Sequence, residues 1–373
     1  MKHHFLNPHI SVIVLTHNRR AELMRTVASL LRLPERPAVI VVDNGSSDGS
    51  PQLLAHTFPG LQVVRSKSNL GAAARNLGAN LASTRYIAFS DDDTDWRPGA
   101  LAKAVELLER YNRIGVLSAR VVVGAQRTLD PTCALMADSP LSGTGHPLRS
   151  LTGFMAGACV FRADLFRELG GYEPRLFIGG EEALLALDLL QAGHEIAYAP
   201  HLEVHHRPSM LRDSELRRRL LARNAALVAW LRLPSTEALA ATWRALGAAL
   251  RERRAARAWL ALWRDLQWAS HNRKPVAARV LNMREAVRRA ERDARLRSTG
   301  AKPAPLLHKS FLQEPTMATT PNKDDNPIRP EQSDVVQTDL PDIGPSEDPD
   351  APPLDPEVDP DAESLDPPET TAR

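Results

Sequence analysis

The chain has 373 residues, 43% hydrophobic and 25% charged, which is enough for one large domain or two ordinary ones with a sizeable core. Two cysteines, Cys133 and Cys159, exclude a disulfide framework and read as small core residues in a reducing compartment. No run of eighteen apolar residues exists, which excludes a spanning helix, and residues 1–8 hold no apolar signal core. The net charge of +2 conceals an asymmetry: residues 211–300 carry 21 Lys and Arg against 8 Asp and Glu, and residues 301–373 carry 5 against 17.

Residues 10–15 form a near-continuous apolar run that stops at Thr16-His17-Asn18. Leu23, Val27, Leu30 and Leu31 follow at i, i+4, i+7 and i+8, one helical stripe. Residues 38–42 are a second apolar run, ending at Asp43-Asn44-Gly45; residues 61–64 are a third and residues 86–89 a fourth. Such runs suit strands buried on both faces of a parallel sheet. Helical segments follow Asn69-Leu70-Gly71 and Pro98. The alternation predicts a doubly wound α/β layer, in which ligands bind beyond the carboxyl ends of the strands. Thr16, Asp43 and Asp91 all fall at those ends.

From about residue 150 the pattern changes. Residues 153–161 read as a Gly-rich loop entering a buried strand, and Gly153 and Gly157 mark the side where an acceptor could approach. Residues 181–192 are helical and closed by Gly193; residues 196–198 are a short strand that leads to His205-His206. Residues 212–298 read as several helices. Beyond about 300, Pro and acidic residues dominate, and the segment reads as a disordered tail.

The Asp91-Asp92-Asp93 triplet at a strand end suits a divalent cation, since Mg²⁺ and Mn²⁺ take oxygen ligands and Mg²⁺ is commonly shared with substrate phosphates. Alone, the triplet equally describes a solvated turn. Asp43 could meet a base or ribose, or belong to plain turn chemistry. Arg75 offers a donor fork to a phosphate or base, or a surface charge. Glu181-Glu182 opens a helix behind Gly179-Gly180, where the dipole favours carboxylates and where a general base could stand. His205 is a candidate further metal ligand.

Taken in order over about residues 10–210, these pieces resemble a family 2 glycosyltransferase of the GT-A fold. The matching residues are Val12 to Arg19, Val41 to Gly49, Asn69-Leu70-Gly71 to Arg75-Asn76, Asp91-Asp92-Asp93, Glu181-Glu182 and His205. The resemblance implies a Rossmann-like, mostly parallel sheet flanked by helices and an inverting transfer from a nucleotide-diphospho-sugar to a glycan or lipid-linked acceptor. It implies that Thr16, Asn18, Asp43, Asn69, Arg75, Asp91 and Asp92 surround the nucleotide-sugar. Asp91, Asp93 and His205 would hold Mg²⁺ or Mn²⁺. Glu182 stands where the family usually has the Asp of a Glu-Asp pair, so Glu182, or Glu181 beside it, would be the base.

The expected organisation is a GT-A domain over residues 1–210, a basic helical region over 211–300 and the acidic tail over 301–373. A cytoplasmic protein is expected, in peripheral contact with the anionic inner face of the plasma membrane through its basic, Trp-bearing helices. No nucleic-acid partner is expected. The competing readings are a non-catalytic nucleotide-sugar or glycan-binding regulator, which transfer assays would separate from an enzyme, and a nucleotidyltransferase. The second lacks a Gly-rich loop with a basic residue after the first strand.

Overall fold

The structure, a computed structural model, describes residues 9–208, 214–250 and 255–298; the expected tail over 301–373 lies outside the described residues. In chain order the first half holds β1 (Ile10–Thr16), α1 (Arg20–Leu31), β2 (Ala38–Asp43), α2 (Ser50–Thr57), β3 (Gln62–Arg65), a 3-10 turn (Gly71–Ala74), α3 (Arg75–Leu81) and β4 (Tyr86–Asp91). Then come β5 (Thr94–Trp96), α4 (Ala100–Arg110), β6 (Ile114–Val123), β7 (Thr128–Leu129), α5 (Pro131–Ala137), β8 (Arg149–Leu151), β9 (Ala158–Arg162), α6 (Ala163–Glu168), α7 (Glu181–Gln191) and β10 (Glu195–His206). Four helices close the described chain: α8 (Ser214–Arg232), α9 (Ser235–Leu250), α10 (Ala255–His271) and α11 (Ala278–Ser298).

One sheet runs in the order β3-β2-β1-β4-β9-β6-β10-β5, with β7 against β6 and β8 against β10. The first four strands are parallel, with β1, β2 and β4 buried on both faces and the edge strand β3 partly exposed, and their register sets Thr16 beside Asp43 and Leu15 beside Asp91. The three polar stops therefore share one sheet edge. β9 is antiparallel to both β4 and β6 and splices the parallel half to the rest. Phe89, Phe161, Phe166 and Tyr172 pack edge-on and tilted where α6 covers this seam.

Leu23, Val27 and Leu30 are buried on α1, whereas Leu31 is exposed. Eight steps at 3.6 residues per turn carry Leu31 about 80° off the stripe. Both cysteines are buried, and burial pushes the Cys133 thiol up to about 12. β10 extends well beyond the expected short strand. It pairs with β6 through a register shift between Ala199 and Glu203, at Pro200, which has no N–H for the ladder.

The helical region packs on α7: α8 rests on it and carries α9 and α10, and α11 returns to it. Trp230 is held by a bond from Nε1 to Thr242 Oγ1 of 2.9 Å, and Trp268 lies 4.9 Å under the Arg175 guanidinium. Trp243 and Trp263 stay exposed. Among the described residues no helix is long and apolar enough to cross a membrane.

Candidate functional site

β4 delivers Asp91 to the sheet edge, and the chain turns at once through Asp92 and Asp93 into β5. The turn is fixed from both sides. The Asp91 N–H donates to Thr94 Oγ1 at 2.9 Å, and Thr26 Oγ1 on α1 donates to the Asp92 carbonyl at 2.7 Å. Asp92 points inward, where it accepts from Thr16 Oγ1 at 2.8 Å. Burial pushes its carboxyl up to about 7; Asp93 and Asp91 act in the same sense, against Arg19 and the Thr16 hydroxyl. Arg19 lies 3.4 Å from Asp92 and 3.0 Å from Asp93. Burial opposes its charge, but the aspartates outweigh burial and hold the guanidinium above its ordinary value. Asp91 is the open member of the triplet, its side chain 31% exposed.

Arg75 opens α3 in a buried position and pairs with Asp91. Burial again disfavours the charge, yet Asp91, with Glu182 and Glu181 contributing, keeps the guanidinium strongly protonated. Glu181 and Glu182 are themselves buried, on the first turn of α7 after Gly180 in a left-handed conformation. Their carboxylates sit at the positive end of the helix. Gly71 joins the two halves: a Cβ there would fall 2.0 Å from the Phe177 carbonyl, which instead accepts from Ala72 N at 2.6 Å. Gly157 serves Asp91 in the same way, since a Cβ there would lie 2.2 Å from Asp91 Oδ2. Gly153 is buried in the loop between β8 and β9.

Asp43 ends β2 fully buried, with Arg65 Nε 3.2 Å from its carboxylate and Ser46 N donating to it at 3.3 Å. Two expected ligand residues serve the loops instead. Asn18 accepts from Ser47 N at 2.8 Å, and Asn69 accepts from Asn44 Nδ2 at 2.7 Å and Gly71 N at 2.9 Å. The structure also corrects the histidine. His205 Nε2 lies 2.7 Å from the Gly124 carbonyl, on the face of β10 turned from the aspartates, whereas buried His206 places Nε2 3.5 Å from Asp93 Oδ1. Neighbouring strand residues point to opposite faces, so only one of the pair can reach the triplet.

Sequence reasoning gave no individual role to three residues: Arg19, His206 and Asn224. Asn224, buried on α8, donates to the carbonyls of Leu176 at 2.6 Å, Ile178 at 3.0 Å and Gly179 at 2.5 Å. Its neighbour Arg223 donates to the Arg175 carbonyl at 3.1 Å and pairs with Asp265 at 2.7 Å. Together they clamp the loop before Glu181, in which Phe177 adopts φ of 59°. Nothing in the sequence around residue 224 distinguishes it from other helix positions. Asn224→Ala strips a donor from buried carbonyls, so a loss of about 1–3 kcal/mol is expected. The urea midpoint measures it, and an unchanged midpoint would show the clamp to be dispensable.

Residues 11–170 match the family described as Glycosyl transferase family 2. An N-acetylglucosaminyl-diphospho-decaprenol L-rhamnosyltransferase of Mycobacterium tuberculosis is 26% identical over 235 residues, which cover 53% of this chain and 75% of that protein. Among solved structures, TarS 1–349 of S. aureus aligns with a TM-score of 0.49 at 17% identity, over 78% of this chain and 91% of that one. A mannosyltransferase of Pyrobaculum calidifontis, solved with GDP-Man and Mn²⁺, aligns with a TM-score of 0.45 at 20% identity, over 79% of each chain. The motif pieces at the carboxyl edge of the parallel strands lie within the span that the family matches, so residues 11–170 are similar to glycosyl transferase family 2.

Proposed function

We propose that this glycosyltransferase moves a sugar from a nucleotide-diphospho-sugar to an acceptor hydroxyl with inversion. The observation that carries the reading is the pairing of Asp91 with buried Arg75 at the carboxyl edge of the parallel strands, where Glu182 and Glu181 also act on the guanidinium. Thr16 and Asp43 line the nucleotide end, and Arg65 holds the Asp43 carboxylate in place. Arg75 pairs with Asp91, which faces the donor on this reading. Glu182 takes the proton from the acceptor hydroxyl as it attacks, with Glu181 beside it as the alternative base. Gly157 keeps room for Asp91 on the acceptor side.

Asp91, Asp93 and His206 offer two carboxylates and an imidazole, a donor set that fits Mg²⁺ or Mn²⁺. Asp93 and His206 are already adjacent, though among the described residues no three His, Cys, Asp or Glu side chains form a finished cage. When bound, such an ion neutralises charge on the departing diphosphate.

The test is a thermal-shift screen of nucleotide-sugars with and without Mn²⁺. A donor at 100 times its Kd should stabilise the chain by about 2.7 kcal/mol. A donor that stabilises but is neither hydrolysed nor transferred would favour the regulator reading, and no stabilisation by any donor would overturn both. Gly157→Ala provides a finer test. Displacing the Asp91 carboxylate by about 1 Å should lower turnover about 10²-fold, while the melting temperature stays near that of the parent. Full turnover in this variant would remove Asp91 from the site.

The acceptor is proposed to be lipid-linked, as the name of the rhamnosyltransferase relative indicates for that enzyme. Exposed apolar side chains of the helical region support this second element. Leu239, Trp243 and Leu250 on α9 are 51%, 73% and 70% exposed, and Leu260 and Trp263 on α10 are 60% and 54% exposed. Such exposed apolar side chains, beside Arg244 on α9 and Arg264 on α10, suit the headgroup layer of a bilayer. Sedimentation with anionic vesicles should pull the chain down at low salt, and less at high salt. Trp243→Glu should abolish it; equal binding to neutral vesicles or none at all would sink this element.

A further inference from the structure

Arg19 reaches two members of the aspartate triplet at once. Its Nη1 lies 3.0 Å from Asp93 Oδ2 and 3.4 Å from Asp92 Oδ1. The other oxygen of Asp93 faces His206 Nε2 at 3.5 Å. Both oxygens of a carboxylate assigned to the metal are therefore occupied by side chains of the protein itself. The Asp93 side chain is 2% exposed, whereas Arg19 keeps 20% of its side chain open. Arg19 stands between β1 and α1, at the carboxyl edge where ligands meet sheets of this kind.

The turn does not depend on Arg19 for its shape. The Asp91 N–H is bound by Thr94 Oγ1, the Asp92 carbonyl by Thr26 Oγ1 and the Asp92 carboxylate by Thr16 Oγ1. What Arg19 supplies is charge, which answers two carboxylates that burial would otherwise penalise. Asp93 cannot take up a divalent ion at Oδ2 while the guanidinium is there, and an ion beside Arg19 would meet like charge in a poorly solvated position. A guanidinium fork pairs with phosphate oxygens as well as with a carboxylate. Asp92 also stays within reach, so Arg19 can give up Asp93 and keep a carboxylate partner. We propose that Arg19 is a resident counter-ion that makes metal and donor binding interdependent. It holds Asp93 until a nucleoside diphosphate offers its phosphate oxygens in exchange, and Asp93 then serves the metal with His206. The exchange rests on the metal assignment above and adds to it an order of events: the donor clears the ligand that the metal needs.

The test is binding of Mn²⁺ to the full chain, read from the electron paramagnetic resonance signal of the free ion, first alone and then with saturating UDP or GDP. The parent should bind Mn²⁺ weakly alone and about 100-fold tighter with a nucleoside diphosphate. Arg19→Gln loses the charge and keeps an amide. In that variant Mn²⁺ alone should bind about tenfold tighter than in the parent, and the gain from the nucleotide should shrink about tenfold. Arg19→Gln combined with Asp92→Asn removes one charge of each sign, which protects the fold if the single variant melts early. It should still bind Mn²⁺ alone about tenfold tighter, because Asp93 is freed while the net charge of the turn is kept. Equal Mn²⁺ affinity in the parent and both variants would overturn the proposal and leave the metal site standing. So would a tightening in Arg19→Gln that vanishes in the double variant, since its cause would be net charge and not occupancy of Asp93. No Mn²⁺ bound by any of the three chains, with or without nucleotide, would overturn the metal assignment itself and the exchange with it.

Discussion

Asp93→Ala is expected to lower transfer about 10³-fold and to remove any dependence of donor binding on Mn²⁺. The size corresponds to about 4 kcal/mol of transition-state stabilisation, within what a bound divalent ion supplies to a departing phosphate. Asp93 is chosen because it alone of the triplet lies against an imidazole, that of His206, and because its side chain is only 2% exposed. The substitution also releases Arg19, which then has Asp92 as its remaining partner in the triplet turn. Asp93→Asn separates the two effects, since it keeps the volume and loses the charge. Turnover is measured over a Mn²⁺ series; near-parental rates at saturating metal in both variants would falsify the metal assignment. His206→Ala should reproduce part of the loss, and His205→Ala should not.

Glu182→Gln keeps the shape of the side chain and removes its basicity. A fall in kcat of about 10²–10⁴ is expected, the ordinary contribution of a general base, with donor affinity nearly unchanged. Both acidic residues feel the same guanidinium, and both are buried. The comparison with Glu181→Gln therefore decides between them: loss in Glu181→Gln alone would transfer the role to Glu181. A base that acts on the acceptor should also leave slow donor hydrolysis less affected than transfer, which a displaced Arg75 would not.

The parallel half of the sheet and its edge were legible because burial on both faces produces unbroken apolar runs, and because polar residues stop those runs where the strands leave the sheet. Thr16, Asp43 and Asp91 could be assigned to one edge on that ground alone. The histidine could not. Which of His205 and His206 faces Asp93 depends on strand parity, and the irregularity at Pro200 breaks the parity that Ile196 and Tyr198 would otherwise carry forward. Arg19 was hidden for another reason. Its value lies in a contact 74 positions away in the chain, which no local pattern announces. Asn18 and Asn69 carried the right residue type for a ligand, but short amides are also the residues that best satisfy loop N–H groups, and here the loops claimed them.

The clamp made by Asn224 bears on how the protein can be cut. A truncation just after β10 would keep every strand and every residue of the family match, yet would leave the carbonyls of Leu176, Ile178 and Gly179 without the amide that now binds them. The acidic pair would then begin a helix whose approach is no longer held, and a minimal fragment chosen from the sheet would bind nucleotide better than it turns over. Chimaeras that exchange helical regions between relatives should fail for the same reason unless an equivalent amide travels with the incoming helix. The helical region and the approach to the acidic pair are thus coupled through the buried amide of Asn224, with Arg223 beside it.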